Sequence, residues 1–319
     1  MNELTQYALL YRSWGLSIIP VQTNKRSLTN WKKQQKRILS EHAVRSLFSQ
    51  PLAAGIAIVC GEISGGLLVI DIDAKNDATA TLMQRFGGRL RHQYPGILQK
   101  LVIAATRNNG YHFYFRCQNP GRCTVLARRP TTDTERLADP YVNVKVLIET
   151  RAAGGYAIVY PTNGYRFIRG NLGCLQFLTE TEKDDLITLA RSFNLIPDVK
   201  PSPHPYPPIR DRPGSPFADY NLRGNFQEVL INHGWRFVLS TNERIYFRRP
   251  GETQNAVSGN YHHNRGLFTV FTPNTEFIPL KGYRPSAIYA ILECDGNFRL
   301  AAKRLIDAGF GTPYSEMKG

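Results

Sequence analysis

The fold is decided by one apolar stretch, which reads GEISGGLLVIDID at residues 61–73. Its glycines predict a turn, and the seven residues after them are typical of a buried strand. Because successive side chains of a strand point to opposite faces, Asp71 and Asp73 share one face with Leu67 and Val69. The stretch therefore predicts a strand that carries two carboxylates on an otherwise apolar face.

Two carboxylates on an apolar face are costly to remove from water unless a cation compensates them. The spacing of Asp71 and Asp73 brings both within reach of one hard cation. Mg²⁺ is typically held by one or two carboxylates together with substrate phosphates. The same spacing also fits a strand end that emerges into solvent, and Asp-x-Asp occurs in glycosyltransferases and other nucleotide enzymes, so the motif alone leaves these alternatives open.

A second candidate is His112, in the segment NNGYHFYFR at residues 108–116. With the apolar residues 101–106 before it, this segment predicts a β-hairpin. His112, Tyr114 and Arg116 then share one strand face, where an imidazole and a guanidinium could meet phosphate oxygens. A purely structural histidine is the alternative.

A third candidate is Glu149, which ends the apolar strand VKVLIE and precedes the pair Gly154 and Gly155. A carboxylate in this position could complete a metal site. It could equally be an ordinary strand end at the surface.

The order of these three elements along the chain is characteristic of a known protein superfamily, although each element alone is not. The chain resembles the archaeo-eukaryotic primase superfamily, and specifically the N-terminal primase-polymerase domain of replication proteins from plasmids, phages and related mobile elements. The resemblance covers about residues 5–165. It is carried by Trp14, Gly15, Ile18, Ile19 and Pro20, by Asn24, Lys25 and Trp31, and by residues 61–73, 106–115 and 148–161.

The resemblance implies a metal-binding triad of Asp71, Asp73 and Glu149, and a contact between His112 and the phosphates of the incoming nucleotide. The implied cofactor is Mg²⁺ or Mn²⁺ in a two-metal site. Two positions depart from the family pattern, because Gly110 stands where serine is frequent and the third acid is glutamate rather than aspartate.

The activity that the resemblance implies is template-directed nucleotidyl transfer, as a DNA primase, a DNA polymerase or both. The expected partners are a single-stranded DNA template, a primer-template duplex and dNTPs or NTPs. A helicase could act in trans or within a longer parent chain. Further phosphate or template contacts are expected from Lys25, Arg107, Arg116 and Arg151, each of which could also be a plain surface charge.

The charge of the chain agrees with a polyanionic partner. The 319 residues include 40 Lys and Arg against 25 Asp and Glu, which gives a net charge of +15 and favours nucleic acid. Residues 1–50 contribute +6, with Trp31 among six clustered basic residues. The cluster could bind phosphates with Trp31 as a stacking platform, or it could be a solvated surface with Trp31 in the core.

The composition also excludes several classes of protein. Hydrophobic residues make up 42% and charged residues 20%, which excludes wholesale disorder, and no apolar run is long enough for a membrane-spanning helix. The first residues lack the features of a signal peptide, so a cytoplasmic location without membrane partners is expected. His112, Cys117 and Cys123 have a loose ligand-like spacing without an evident fourth ligand, so zinc is not expected.

The prolines divide the chain. Residues 197–216 contain eight of the 20 prolines, which predicts an extended spacer between a catalytic domain at 1–196 and an accessory domain at 217–319. We expect an α+β fold with one main sheet in the first domain. The resemblance implies a primase-like core there, with an RRM-like sheet plus an α/β unit, and a smaller α+β domain follows.

The accessory domain also carries candidate template or primer contacts. These are Arg244, Arg248 and Arg249 beside Tyr246 and Phe247, although a docking or spacer domain is equally compatible with the sequence. For the whole chain, the alternatives are an Asp-x-Asp glycosyltransferase and a catalytically inactive DNA-binding replication protein.

Overall fold

The computed structural model describes residues 2–139, 142–196, 214–252 and 256–311. The chain divides into two units. Unit 1 comprises Met1–Pro130 and Lys145–Ile196, and unit 2 comprises Thr131–Val144 and Pro197–Gly319. The short segment 131–144 therefore belongs with the C-terminal unit although it lies within the first 196 residues of the chain.

Ten α-helices occur in the described part of the chain. They are α1 (Glu3–Ser13), α2 (Glu41–Phe48), α3 (Leu82–Gln93), α4 (Pro95–Lys100), α5 (Asp133–Ala138), α6 (Glu180–Arg191), α7 (Pro216–Arg223), α8 (Phe226–Asn232), α9 (Pro285–Cys294) and α10 (Phe298–Asp307).

The same residues form fourteen strands. They are β1 (Ile18–Val21), β2 (Gly55–Val59), β3 (Leu67–Ile72), β4 (Val102–Ala105), β5 (Tyr111–Arg116), β6 (Val125–Pro130), β7 (Val144–Arg151), β8 (Tyr156–Val159), β9 (Arg166–Arg169), β10 (Arg236–Ser240), β11 (Arg244–Arg248), β12 (Gly259–His262), β13 (Leu267–Val270) and β14 (Gly282–Tyr283).

Unit 1 has two sheets rather than the single main sheet predicted. A six-stranded sheet has the order β6-β7-β3-β5-β4-β9, and a three-stranded sheet has the order β1-β2-β8. Strands β2 and β3 are consecutive in sequence but lie in different sheets, because the glycine turn redirects the chain. Gly65 and Gly66 adopt φ of +67° and +76°, and a Cβ on Gly66 would lie 2.1 Å from the carbonyl oxygen of Cys117.

Strand β3 is buried on both of its faces. Leu68, Ile70 and Ile72 point into a core shared with α3 and α6, whereas Leu67 and Val69 point into a second core shared with α1, α2 and the three-stranded sheet. Each such side chain contributes about 1.5–3 kcal/mol through burial. The apolar run predicted from the sequence is thus the centre of the unit, and it positions Asp71 and Asp73 at its C-terminal end.

Unit 2 is built on a five-stranded antiparallel sheet of order β10-β11-β12-β13-β14. Helices α8 and α9 pack on one face of it through Phe226, Leu230 and Ile288. Both units combine helices with antiparallel sheets, which confirms the α+β class.

The predicted proline-rich spacer at 197–216 lies mostly outside the described residues. Its last residues are described, and there Ser215 caps helix α7, which begins at Pro216. Of the helices in the described ranges, none has the length and apolar character needed to cross a membrane.

Candidate active site

Three of the predicted site residues form one row across the middle of the six-stranded sheet. Asp71 on β3 lies opposite His112 on β5 and opposite Glu149 on β7. Directly opposed residues of paired strands project from the same face, so the three side chains meet on one side of the sheet. The hairpin of β4 and β5, predicted from the sequence, places His112 in this row.

Asp71 is the centre of the cluster. Its Oδ1 lies 3.3 Å from His112 Nε2, and its Oδ2 accepts hydrogen bonds of 3.2 Å from both Nε and Nη2 of Arg151. The same Nη2 lies 2.5 Å from Oε1 of Glu149. Arg151 follows Glu149 by two residues on β7, so alternation puts its guanidinium on the same face, between the two carboxylates.

The charges around the carboxylates shift their pKa values in opposite directions. Burial raises the pKa of Asp71, but His112 and Arg151 outweigh burial and hold it at about 2. Burial raises the pKa of Glu149 despite the opposing effect of Arg151, and burial together with the nearby Asp71 raises that of Asp73. Asp71 is therefore a buried anion that Arg151 and His112 stabilise, whereas the other two carboxylates would gain from an added cation.

His112 is held on its other side by Tyr114. Its Nδ1 lies 2.8 Å from the Tyr114 hydroxyl, which also donates to the carbonyl oxygen of Ile158 at 3.4 Å. The imidazole has 4% of its surface exposed, and the ring of Tyr165 lies 5.9 Å away between centroids. The buried Tyr114 thus fixes the ring so that Nε2 faces Asp71.

Asp73 lies just after the end of β3. Its backbone N–H donates to the carbonyl oxygen of Leu147 at 2.9 Å, and its carboxylate lies 3.7 Å from Lys75 Nζ. The side chain is 29% exposed. The structure thus places Asp73 at the more open end of the strand, two residues beyond Asp71.

Two predicted cations lie at the edge of the cluster. Lys25 adopts φ of +69°, and its Nζ lies 5.5 Å from the centre of the Tyr165 ring. Burial and the nearby Arg107 lower the pKa of Lys25, while Asp71 and Asp73 act in the opposite sense, so Lys25 lies within electrostatic range of the carboxylates. Arg107 donates to the carbonyl oxygens of Thr23 and Asn163 at its exposed position.

Arg116 is not brought to the cluster. It lies opposite Leu67, four residues beyond His112 along β5, which is about 13 Å. Its guanidinium contacts the carbonyl oxygen of Trp14 at 3.4 Å. Cys117 lies one residue farther on, about 16 Å from His112, so the structure does not assemble the loose zinc-like spacing of His112, Cys117 and Cys123.

A close steric contact explains why residue 110 is a glycine. A Cβ on Gly110 would lie 2.5 Å from the carbonyl oxygen of Ile72 and 2.8 Å from Oγ1 of Thr106. Backbone from the end of β3 therefore occupies the space that a side chain at this position would need. The hairpin approaches the central strand closely at the level of the site.

Within the basic cluster near the N-terminus, Trp31 and the charged residues beside it lie in different environments. Trp31 packs edge-on against Tyr156 with 5.1 Å between ring centroids and joins a small core, which favours the core interpretation. Four basic neighbours of Trp31 remain exposed, namely Lys32, Lys33, Lys36 and Arg37.

The donor atoms at this site suit a divalent cation, although they are not yet arranged around one. Oxygens of Asp71 and Glu149 already converge on a single cation, the Arg151 guanidinium. Carboxylate oxygens are the ligands that Mg²⁺ and Mn²⁺ prefer. Within the described ranges, no three His, Cys, Asp or Glu side chains are grouped so that they could hold a metal ion as they stand.

The sequence did not predict two features of the site. Tyr165 lies between His112 and Lys25, and burial followed by the charge of Asp71 raises its pKa to about 12. It comes from the segment between β8 and β9, where no periodic pattern marks it. Arg151 was predicted as a phosphate or template contact, but its position between Asp71 and Glu149 was not. Strand alternation indicates the face on which a side chain lies, and it does not indicate which side chain it contacts.

The family model for the N-terminal domain of bifunctional DNA primase/polymerases matches residues 8–180, which is more than half of the chain and includes all eight predicted site residues. No curated protein sequence matches the chain.

Proposed function

Because the chain belongs to the bifunctional DNA primase/polymerase family, we propose that unit 1 catalyses template-directed nucleotidyl transfer at the cluster around Asp71. The observation that supports this site most directly is the row of Glu149, Asp71 and His112 across three central strands. Family membership implies primase or polymerase activity and counts against the glycosyltransferase alternative. Replication of a plasmid, phage or other mobile element in the cytoplasm, with a helicase in trans or in a longer parent chain, is part of the same proposal.

Asp71, Asp73 and Glu149 would hold the divalent ions, Mg²⁺ or Mn²⁺. Such ions, when bound, lower the pKa of the attacking 3′-hydroxyl and neutralise charge on the triphosphate and the pyrophosphate leaving group. The raised pKa values of Asp73 and Glu149 support this assignment, because each carboxylate lacks the full cationic compensation that Asp71 already has.

Arg151 would have to withdraw before Asp71 and Glu149 could hold a metal ion. Its side chain is 36% exposed, so it has an open side toward which it can turn. A guanidinium released beside a triphosphate is well suited to bidentate contact with phosphate oxygens. Arg151 would then neutralise carboxylates in the empty enzyme and phosphates in the substrate complex.

Lys25 and Arg107 would add positive charge for the triphosphate or the template. Both lie at the edge of the carboxylate cluster, whereas Arg116 lies about 13 Å along β5 and is not part of this proposal. Catalysis of this kind depends mainly on positioning and charge neutralisation.

The decisive experiment is a strand-synthesis assay with Asp71→Asn/Asp73→Asn in the full chain. Primed and unprimed single-stranded templates are supplied with dNTPs and NTPs separately, in Mg²⁺ and in Mn²⁺. We expect synthesis by the wild-type chain and loss of at least about 100-fold in the double variant, since the charge stabilisation is removed. Asp184→Asn/Asp185→Asn, two acids on helix α6, is the matched control and should retain activity.

Two results would contradict the proposal. Undiminished synthesis by the double variant would mean that the site is misassigned, and absence of synthesis by the wild-type chain with intact DNA binding would favour an inactive DNA-binding protein. The role of His112 is tested by His112→Gln. A raised KM for the nucleotide supports phosphate contact, whereas a lowered kcat with unchanged KM identifies His112 as a positioning residue for Asp71.

A further inference from the structure

The sheet of unit 2 has two different faces. Ile245 and Phe247 of β11 and Phe268 of β13 are buried against helices α8 and α9. The residues that alternate with them on β11 are Arg244 and Tyr246, and they point to the opposite face. Helices α8 and α9 pack on the inner face.

The outer face combines positive charge with an aromatic ring. Register places Arg248 opposite Arg236, Tyr246 opposite Leu239, and Arg244 opposite His262. Cross-strand partners share a face, so these side chains form three adjacent rows on the outer side. The strands β10 to β14 contain three arginines and no aspartate or glutamate, so the field over this face is positive.

The groups on this face keep hydrogen-bond donors available. Arg236 Nη2 donates to the carbonyl oxygen of Glu252, and Arg248 Nε donates to that of Ala256 at 3.3 Å. A guanidinium carries five N–H donors, so each retains others for a ligand while the carbonyl fixes its direction. A shallow depression opens beside Arg244 and Tyr246 and is also lined by Thr241, Asn242 and the single carboxylate Glu243.

Two residues that the sequence offered for the same role are excluded by their burial. Phe247 is fully buried in the core of unit 2. Arg249 is 9% exposed and lies 3.4 Å from the carboxylate of Glu252. The surface is therefore defined by the alternation of β11 rather than by the run of basic and aromatic residues.

We propose that this outer face, formed by Arg236, Arg244, Tyr246 and Arg248, is a second nucleic-acid site that binds a single strand. Arginines neutralise the phosphates of a strand, and an aromatic ring between them stacks on an unpaired base. A duplex would offer phosphates but no free base face to Tyr246. An acidic peptide would engage the arginines and leave Tyr246 without a specific partner.

The first test measures binding of fluorescent oligothymidylate and oligouridylate to the full chain in EDTA, by anisotropy, between about 50 and 200 mM salt. For Arg244→Gln/Arg248→Gln we expect affinity to fall about tenfold. The slope of the logarithm of the binding constant against the logarithm of salt concentration should become shallower by about 1.4, since each phosphate contact to a single strand contributes about 0.7 to it. Tyr246→Ala should weaken binding at least about fivefold with little change in salt dependence.

The matched control removes the same charge elsewhere in unit 2. Arg299→Gln/Lys303→Gln changes two exposed residues of helix α10 and should bind like the wild-type chain. Equal losses in the two double variants would overturn the proposal, because they would show only a general effect of net charge. The two oligonucleotides also distinguish DNA from RNA as the preferred strand.

The second test needs no variant and so does not depend on the folding of one. The wild-type chain is photo-crosslinked to an oligonucleotide containing thiothymidine, and tryptic peptides are identified by mass spectrometry. We expect crosslinks in the peptide 245–248, which contains Tyr246. Crosslinks confined to residues of unit 1 would overturn the proposal even if strand synthesis at Asp71 were established.

Discussion

At the scale of single residues, Arg151 is the most informative feature of the site. Its guanidinium lies between Asp71 and Glu149 and takes the position of a counter-ion. Two carboxylates this close repel each other when no cation lies between them. Arg151 relieves this repulsion, and in the proposed function it would compete with the metal.

Replacing Arg151 should separate these two effects. We expect Arg151→Gln to bind Mn²⁺ about tenfold more tightly, because the competing cation is gone, while the metal-free protein becomes less stable. Electron paramagnetic resonance of free Mn²⁺ measures the affinity, and thermal unfolding with and without Mn²⁺ measures the stability. Arg166→Gln, on the exposed strand β9, is the control. Unchanged Mn²⁺ affinity in Arg151→Gln would refute competition.

The low pKa of Asp71 predicts a pH-dependent contribution to stability. A carboxylate with a pKa of about 2 in the folded protein and about 3.9 in the unfolded chain stabilises fully above about pH 4 and loses this effect as pH falls toward 2. The shift corresponds to about 2 to 3 kcal/mol at neutral pH. Stability falls at low pH because the carboxyl group of Asp71 binds a proton more tightly in the unfolded chain than in the folded protein, so protonation favours unfolding.

This contribution can be measured as a difference between the wild-type chain and Asp71→Asn by urea unfolding in EDTA. We expect the difference in the free energy of unfolding to decrease by about half between about pH 6 and about pH 3. Asp73 and Glu149 have raised pKa values and act in the opposite direction. The part of these shifts that burial causes is common to both proteins and cancels, whereas the part that Asp71 causes is present in the wild-type chain alone. A difference that does not change with pH would contradict the assignment.

At the scale of elements, the site depends on how closely the β4–β5 hairpin approaches β3. The register of β5 against β3 brings His112 to Asp71, and Gly110 lies against the last carbonyl of that strand. A slip of one residue would turn His112 to the other face. The absence of a side chain at Gly110 therefore protects the register that brings His112 to Asp71.

Gly110→Ala tests this contact. The added Cβ would lie 2.5 Å from the carbonyl oxygen of Ile72, so we expect a loss of about 1–3 kcal/mol in the free energy of unfolding, measured with urea. Gly88→Ala is the control, since Gly88 is an exposed residue of helix α3 with open space around it. That change should stabilise the protein by about 0.5–1 kcal/mol. Equal effects of the two changes would show that the contact is unimportant.

At the scale of the whole molecule, the chain crosses between its units more often than the proline-rich spacer suggests. We retain the division into 1–196, 197–216 and 217–319 as a proposal, with residues 131–144 added to the C-terminal unit. Within unit 2, Oδ1 of Asn274 accepts hydrogen bonds from the backbone N–H of Asn143 at 3.2 Å and of Val144 at 3.1 Å.

Asn274→Ala in the full chain should release these two backbone groups. We expect faster hydrogen exchange at the amides of Asn143 and Val144, by about tenfold, with little change at the amides of unit 1. Asn232→Ala, at the exposed end of helix α8, is the control. Unaltered exchange at both amides would show that the segment is held by other contacts.

The sequence alone determined the local elements and indicated the family. Apolar runs identified β3, β4, β5 and β7. The motif order indicated the primase/polymerase family, which the match to residues 8–180 confirms. These features are encoded within short windows of residues, and for that reason they can be read without tertiary contacts.

Only the tertiary structure decided which of these elements are neighbours. It separated β2 from β3 into two sheets, placed Arg151 between Asp71 and Glu149, turned Nε2 of His112 toward Asp71 and left Arg116 at the far end of β5. It also left Arg244 and Tyr246 half-buried on the outer face while burying Phe247 in the core. Pairing between distant strands depends on glycine turns and on packing across the sheet, and neither is specified by the residues of one strand alone.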